Sequence, residues 1–325
     1  MNTNKKSRLI YTILLTVLLG ACAFSLFAGA VHVPFDQMAG SGIIRLRVAR
    51  ILLAVVAGAG LSVAGVVFQA LLRNPLAEPY ILGVSSGAAL GGTFAIFLGW
   101  GLLSVWILPS MAFVGAIATI LLVYALSREP NGVVPVQTLL LSGVIVSAVL
   151  SSVLMFIVSN CPSENLHNVL WWLLGNLQIF DLGLLKVVTL VTAAGVTFAV
   201  FFARDLNVIT LGEESAAHLG LNVERTKKMF FIAASLMTGA VVSACGLIGF
   251  VGLIVPHSVR LAIGPDHRRL LPAAALAGAA FLVIADAFAR TAIAPMEIPI
   301  GVITAFLGGP FFLFLLRRKK RSYWG

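Results

Sequence analysis

The chain has 325 residues, 60% of them hydrophobic and 10% charged, with a formal net charge of +10. An ordinary soluble chain is roughly 45–50% apolar and about 25% charged. So few charges cannot cover the surface of a water-soluble fold of this size, which excludes a cytosolic enzyme, a secreted disulfide scaffold and a disordered tail. At roughly 20 residues per crossing, the apolar content bounds the chain at about nine or ten spans in one membrane-embedded unit.

In chain order, Lys5, Lys6 and Arg8 precede an apolar run that ends in Leu19-Gly20-Ala21-Cys22 and imitates a signal peptide. The run continues past Cys22 to Val31, and nothing downstream resembles a soluble mature domain, so a first spanning helix is expected. Further apolar stretches fall near 51–72, 80–99, 103–126, 137–159, 183–203, 229–250, 272–291 and 299–316, with a shorter one at 251–263 interrupted by Pro256 and His257. Ten crossings put both termini on one side, and cytoplasmic loops are the ones enriched in Lys and Arg. With the termini inside, the inner ends collect most of the basic residues, including Arg73, Arg128, Arg204, Arg225, Lys227, Lys228, Arg268, Arg269 and the run Arg317–Arg321. Arg45, Arg47, Arg50, Lys186 and Arg290 are left outside. The positive charge is therefore a topology signal, and a nucleic-acid partner is not expected. Cys22, Cys161 and Cys245 lie far apart, with no CxxC and no Cys/His cluster, so neither a disulfide framework nor a metal site is indicated.

An internal match appears at an offset of 181: Gly58, Ala59, Ser62, Gly65, Pro75 and Gly83 against Gly239, Ala240, Ser243, Gly246, Pro256 and Gly264. Five spans separate the copies, so they cross in opposite directions, as in the inverted repeats of transporters. The expected fold is an all-α polytopic membrane protein of about ten transmembrane helices, a single permease domain over 1–325 with an inverted internal repeat.

Ion-coupled carriers hold ionisable groups inside the bilayer. Here the acidic residues fall at loops or span ends, except Asp286, which stands four residues before Arg290 and reads as an i,i+4 ion pair. A secondary transporter driven by an ion gradient is thus the alternative class. The chain has no GxxxxGK[ST] phosphate loop, no HExxH and no Gly-x-Ser-x-Gly elbow, so transport energy must come from elsewhere. The polar interruption from Arg204 to Lys228 lies on the inner face. Within it Gly212-Glu213-Glu214-Ser215-Ala216-Ala217-His218-Leu219-Gly220-Leu221 reads as a short helix with acidic residues in its first turn and Gly220 as C-cap. Ala216, Ala217, Leu219 and Leu221 are available for a partner groove.

Several blocks then resemble the FecCD/BtuC-type permeases of ABC importers: Leu46-Arg47-Val48-Ala49-Arg50, Gly65 through Pro79, Leu82 through Gly87, Leu211 through Gly220, Gly246 through His257, Gly264 through Arg268, and Glu297 through Val302. They keep the family order from about residue 45 to 317, with Ala49 where proline is usual. The resemblance implies a homodimer or heterodimer of ten-helix permeases in the bacterial or archaeal cytoplasmic (inner) membrane. Two separate ATP-binding cassette subunits lie below and an extracytoplasmic substrate-binding protein outside. It implies no catalytic residue and no cofactor in this chain, ATP and Mg being used by the partner subunits. The helix of Glu213, Glu214, Ala217, His218, Leu219 and Gly220 becomes the ATPase-coupling helix. Arg47, Arg50 and Arg290 become outer-rim residues that pair with acids on the binding protein. Val136 and Gln137 fall near the cytoplasmic gate. Family cargo is an iron–siderophore complex, haem or cobalamin.

Overall fold

A computed structural model describes residues 3–29, 42–130, 132–179 and 181–323, with side chains described for all of these except 3–6, 102 and 314–323. Among the described residues the elements are α1 (Thr3–Phe27), α2 (Gly42–Leu71), α3 (Val84–Phe97), α4 (Ile107–Ser127), α5 (Val136–Ser159), α6 (Ser163–Leu173), α7 (Leu182–Phe201), α8 (Ala203–Ile209), α9 (Glu213–His218), α10 (Val223–Cys245), α11 (Val251–Ile263), α12 (His267–Thr291) and α13 (Ile300–Tyr323). Seven of them are long and apolar enough to cross a membrane, and α3, α11 and the apolar part of α13 are shorter. Each apolar stretch of the sequence is thus a helix, and the protein is a multi-pass membrane protein. The short helices α6 and α8 lie outside those stretches and escaped the sequence reading. The basic run Arg317–Arg321 lies outside the described side chains.

The longest helix, α2, is the centre of the molecule. Of its most apolar window 78% is buried, against 17% for α5 and 6% for α1, and α12, α10, α7 and α11 surround it. The reason is in its sequence. Gly58, Gly60 and Gly65 leave grooves on different faces, and small residues are what allow helix backbones to approach in a lipid-like medium. A Cβ on Gly58 would sit 2.2 Å from the Gly278 carbonyl oxygen of α12, and one on Gly65 would sit 2.0 Å from that of Gly252 in α11. The Phe68 ring completes the core edge-on to Phe231 of α10, 6.0 Å between centroids.

Two chain breaks depart from simple spans. The stretch expected at 80–99 opens with a 3-10 turn, Pro79–Leu82, and becomes α-helical only at α3. Pro75 and Pro79 offer no backbone N–H, so the chain cannot continue α2. This connection packs against Gly143 and Ser147 of α5, about two to three turns from the start of that helix. The second break, 246–250, precedes α11 and meets the first. Phe250 N–H donates to Glu78 Oε1 at 2.5 Å and Ile248 N–H donates to Tyr80 Oη at 2.9 Å. Irregular backbone is tolerated at membrane depth where protein groups satisfy it, and these side chains do so. Glu78, expected at a loop, is therefore drawn against the start of α11, and Asp286 is not the only carboxylate taken into the body of the protein. Asp266 caps α12, accepting from Arg268 N–H at 3.1 Å and from Asn207 Nδ2 of α8 at 2.8 Å. Burial works against its charge, but the bonds from Asn207 and Arg268, with the charges of Arg268 and Arg269, outweigh it and hold the carboxyl below its usual range.

Of the residues paired at an offset of 181, Gly58, Ala59 and Ser62 and their counterparts Gly239, Ala240 and Ser243 are all helical, and Gly83 and Gly264 both have positive φ, but two pairs differ in setting. Pro75 stands in the turn after α2 and Pro256 inside α11, and Gly65 is helical whereas Gly246 has φ +68° in a connection. The cause is helix length: α2 runs on from Gly58 to Leu71, whereas α10 stops at Cys245 shortly after Gly239.

The α2–α12 approach predicts a sharp contrast between glycines. Gly278→Leu forces a side chain into the Gly58 carbonyl and should cost about 3 kcal/mol or more, beyond the usual 1–3 kcal/mol of overpacking. Gly101→Ala meets nothing within 4 Å and should stay within about 0.5 kcal/mol of the parent. Thermal unfolding of the purified protein in detergent separates the two.

Candidate functional site

The site expected on the inner face is built on α8, α9 and α10. Phe202 and Thr210 end α7 and α8 by C-capping bonds, and α9 begins at Glu213 after Gly212. Its termination follows the sequence expectation. Gly220 has φ +84°, a left-handed conformation natural to glycine. Gly220 N–H donates to Ala217 O and Leu221 N–H to Ala216 O, the 5→2 and 6→1 bonds of a Schellman end. Burial then sorts its residues. Ala216 is fully buried and Leu221 packs on the core, so these two, expected to be open to a partner, instead anchor the helix. Glu214, Ala217, His218 and Gly220 are exposed, and Leu219 is 65% exposed. Glu213 faces inward instead and pairs with Lys227 of α10 at 3.1 Å.

Val136 is the first residue of α5, half-buried, and Gln137 beside it is exposed. The segment leading into them is held from α10. Val134 N–H donates to Glu224 Oε2 at 3.2 Å, and Lys227 Nζ donates to Val134 O at 3.0 Å. The start of α5 and helix α9 thus share a neighbour.

Arg47, Arg50 and Arg290, expected at the outer rim, do come together, but not as an open rim. Arg47 is 8% exposed and donates to Leu26 O at 3.0 Å and Phe27 O at 3.3 Å. Arg290 is 4% exposed and donates to Ala28 O at 2.8 Å, to Ser25 O at 3.1 Å and to the Ser25 hydroxyl. Both therefore close the last turn of α1, whose final carbonyls have no helical partners and favour cations. Arg50 donates through Nε to Asp286 Oδ1 at 2.8 Å and through Nη1 to Glu297 Oε2 at 2.8 Å. The expected Asp286–Arg290 pair is present at 3.0 Å, yet it is one edge of a network joining α1, α2, α12 and Glu297, to which Gln178 Nε2 also donates. Spacing along one helix could not reveal partners on two other helices and on the connection that carries Glu297. Among the described residues, no three His, Cys, Asp or Glu side chains come together as metal ligands would.

A hollow of about 320 Å³ is lined by Asn165, Asn168, Trp171, Trp172 and Asn176 beside Ile96 and Leu108. It was not foreseen, because α6 is too short and too polar to register as a span.

Asp286 is fully buried between two guanidinium groups. Removing one partner of such a cluster leaves buried charge uncompensated, at about 3–5 kcal/mol. Asp286→Ala should lose stability on that scale in detergent unfolding. Asp286→Asn, which keeps one acceptor, should lose less.

The comparisons with known proteins cover almost all of the chain. The model of the FecCD transport family matches residues 9–318. The cobalamin import system permease protein BtuC of Halobacterium salinarum is 46% identical over 275 residues, which is 85% of this chain and 73% of that protein. The Fe(3+) dicitrate transport system permease protein FecD of Escherichia coli is 38% identical over 323 residues, 96% of this chain and all of that protein. A solved inward-facing structure of a metal-chelate-type ABC transporter superposes with a TM-score of 0.86 at 30% identity, covering 96% of this chain and 99% of that one. A match that begins in α1 and ends in α13 takes in the whole membrane body, and this protein belongs to the FecCD transport family of ABC-importer permeases.

Proposed function

We propose that this chain is one single-domain permease unit of an importer for a bulky metal chelate. An iron chelate is the preferred cargo, with haem and cobalamin as related ones. It works with a second permease subunit, identical or homologous, with two ATP-binding cassette subunits on the cytoplasmic side and with an extracytoplasmic binding protein. ATP and Mg are used by the cassette subunits, and this chain hydrolyses nothing. Its membrane is the cytoplasmic membrane of a bacterium or archaeon, with both termini in the cytoplasm. The observation that carries the reading is α9: a helix of six residues, closed by Gly220, anchored by Ala216 and Leu221, and presenting Ala217, His218 and Leu219 outward.

Supporting features lie around it. Leu141, Ile145, Val149 and Phe156 of α5 are exposed and give a second permease subunit an apolar face. Val136 and Gln137 head that same helix and are assigned to the cytoplasmic gate. At the outer end Arg50 keeps 11% and Glu297 27% of their side chains exposed. Arg47, Arg50 and Arg290 dock the binding protein, in this reading, by exchange: partner carboxylates compete with Asp286 and Glu297 for Arg50 and Arg290, and with the α1 carbonyls for Arg47.

Two predictions test these contacts. Packed anchors carry most of an interface's energy, so Ala217→Arg should abolish chelate uptake and detach the ATP-binding subunits while the permease stays folded and inserted. Uptake of radiolabelled ferric citrate, haemin and cyanocobalamin into vesicles, with co-purification of the cassette subunits, gives the answer and names the cargo. Unchanged uptake by the variant returns α9 to an ordinary connector. Glu297→Gln frees Arg50 of one internal partner and should raise the association rate of the binding protein severalfold, most strongly at low salt, since rim charges act chiefly on rate and are screened. An association rate that does not move at either salt concentration removes the exchange.

A further inference from the structure

Lys227 sits where the two inner features meet. Although basic and on the cytoplasmic side, it is 8% exposed, and all three of its ammonium donors are used. Nζ donates to Glu213 of α9 at 3.1 Å, to Glu224 of its own helix at 2.6 Å and to the Val134 carbonyl at 3.0 Å. Glu224 uses its other oxygen to accept from Val134 N–H at 3.2 Å. Val134 is therefore gripped by both of its backbone polar groups, through two side chains of α10, one residue before Pro135 caps α5. A simple surface ion pair needs no such geometry. An ion pair that served only to fasten α9 to α10 would leave the chain entering α5 untouched.

We infer that Lys227 is the positioning residue through which a displacement of α9 reaches the cytoplasmic start of α5. The inference rests on the assignments of α9 and of Val136–Gln137 proposed above. The geometry supplies both halves of a relay. Glu213, whose side chain is 34% exposed, is the partner that can be exchanged with water when α9 shifts, whereas Glu224 belongs to the same helix as Lys227 and keeps its place. Losing Glu213 leaves one of the lysine's donors without an acceptor and changes its hold on Val134, the last residue before the α5 cap. The surroundings give room for that change. A cavity of about 20 Å³ lies against Val134, Val136, Glu224 and Lys227, with Leu139 and Tyr124 on its far side. That is space for about one water molecule and for a small rearrangement of the helix start.

The test uses the complete transporter, permease with its ATP-binding subunits, in lipid nanodiscs, and does not depend on the cargo. Gln137→Cys is introduced with Cys22→Ser and Cys161→Ser, and its labelling by a membrane-impermeant maleimide is timed without nucleotide and after trapping with ATP and vanadate. The otherwise wild-type chain should change its labelling rate at least fivefold on trapping. Lys227→Met should reduce that change to under twofold with the cassette subunits still attached. Glu213→Gln, which buries no unpaired lysine-sized charge, should reduce it in the same direction and add nothing in the Lys227→Met background. If Lys227→Met does not fold, Glu213→Gln alone decides. A role limited to stability alters yield or melting temperature and leaves the nucleotide response of the folded complexes intact. Ala217→Arg separates the two levels of the reading. A retained response with attached subunits in that variant overturns the assignment of α9. Loss of response in Ala217→Arg together with a wild-type response in Lys227→Met and Glu213→Gln overturns the relay alone. No nucleotide response in the parent removes α5 as the moving element, and the relay with it.

Discussion

The close approach of α2 to its neighbours is the constraint on which the rest of the structure depends. Between lipid-facing helices there is no hydrophobic driving force, so association rests on packing and on interhelical hydrogen bonds. Gly58 against Gly278 and Gly65 against Gly252 let backbones meet where any side chain would collide. Once α2 is seated in this way, its few polar groups have fixed counterparts. Gln69 donates to Gly252 O and accepts from Arg260, while Arg50 lies over Asp286. The grooves set the register, and the register chooses the partners.

The same economy governs the breaks in the bundle. Backbone groups released where α2 stops and where α11 starts are not left to lipid. Glu78 and Tyr80 receive the N–H groups of Phe250 and Ile248, and Asn176 N–H donates to the Cys245 carbonyl. At the other end of the molecule, Arg47 and Arg290 accept the burden of the α1 carbonyls. A buried polar group without a partner is costly at this depth, and these interruptions are accordingly matched by polar groups from a different element.

The two ends of the protein use charge in opposite ways. At one end the arginines are turned inward and paired with Asp286, Glu297 and carbonyl oxygens. At the other, α9 turns its acidic first residue toward Lys227 and leaves an apolar side chain, Leu219, in the open. The element between them, α5, is little buried within the chain, which leaves it free to be covered by another subunit.

Much of this was legible in the residues alone. Apolar runs of the right length determine spanning helices because a lipid interior leaves no other way to satisfy the backbone, and the ten stretches stand as helices. Gly220 determined the end of α9, since only the left-handed conformation lets the chain turn there, and Asp286 with Arg290 declared a pair because four residues make one helical turn. The blocks from Leu46 to Val302 carried the family. What the tertiary structure alone decided concerns contacts between elements distant in sequence. Arg47 and Arg50 read as open rim residues, yet Arg47 is buried and Arg50 mostly covered, because the end of α1 and Glu297 come from other parts of the chain. Ala216 and Ala217 are chemically alike, and only packing makes one an anchor and the other a contact. Lys227 looked like one more cytoplasmic charge, and its three partners, drawn from α9, α10 and the approach to α5, converge only when the helices are assembled. Periodicity reports what lies along one helix; which faces of different helices meet is set by the grooves between them.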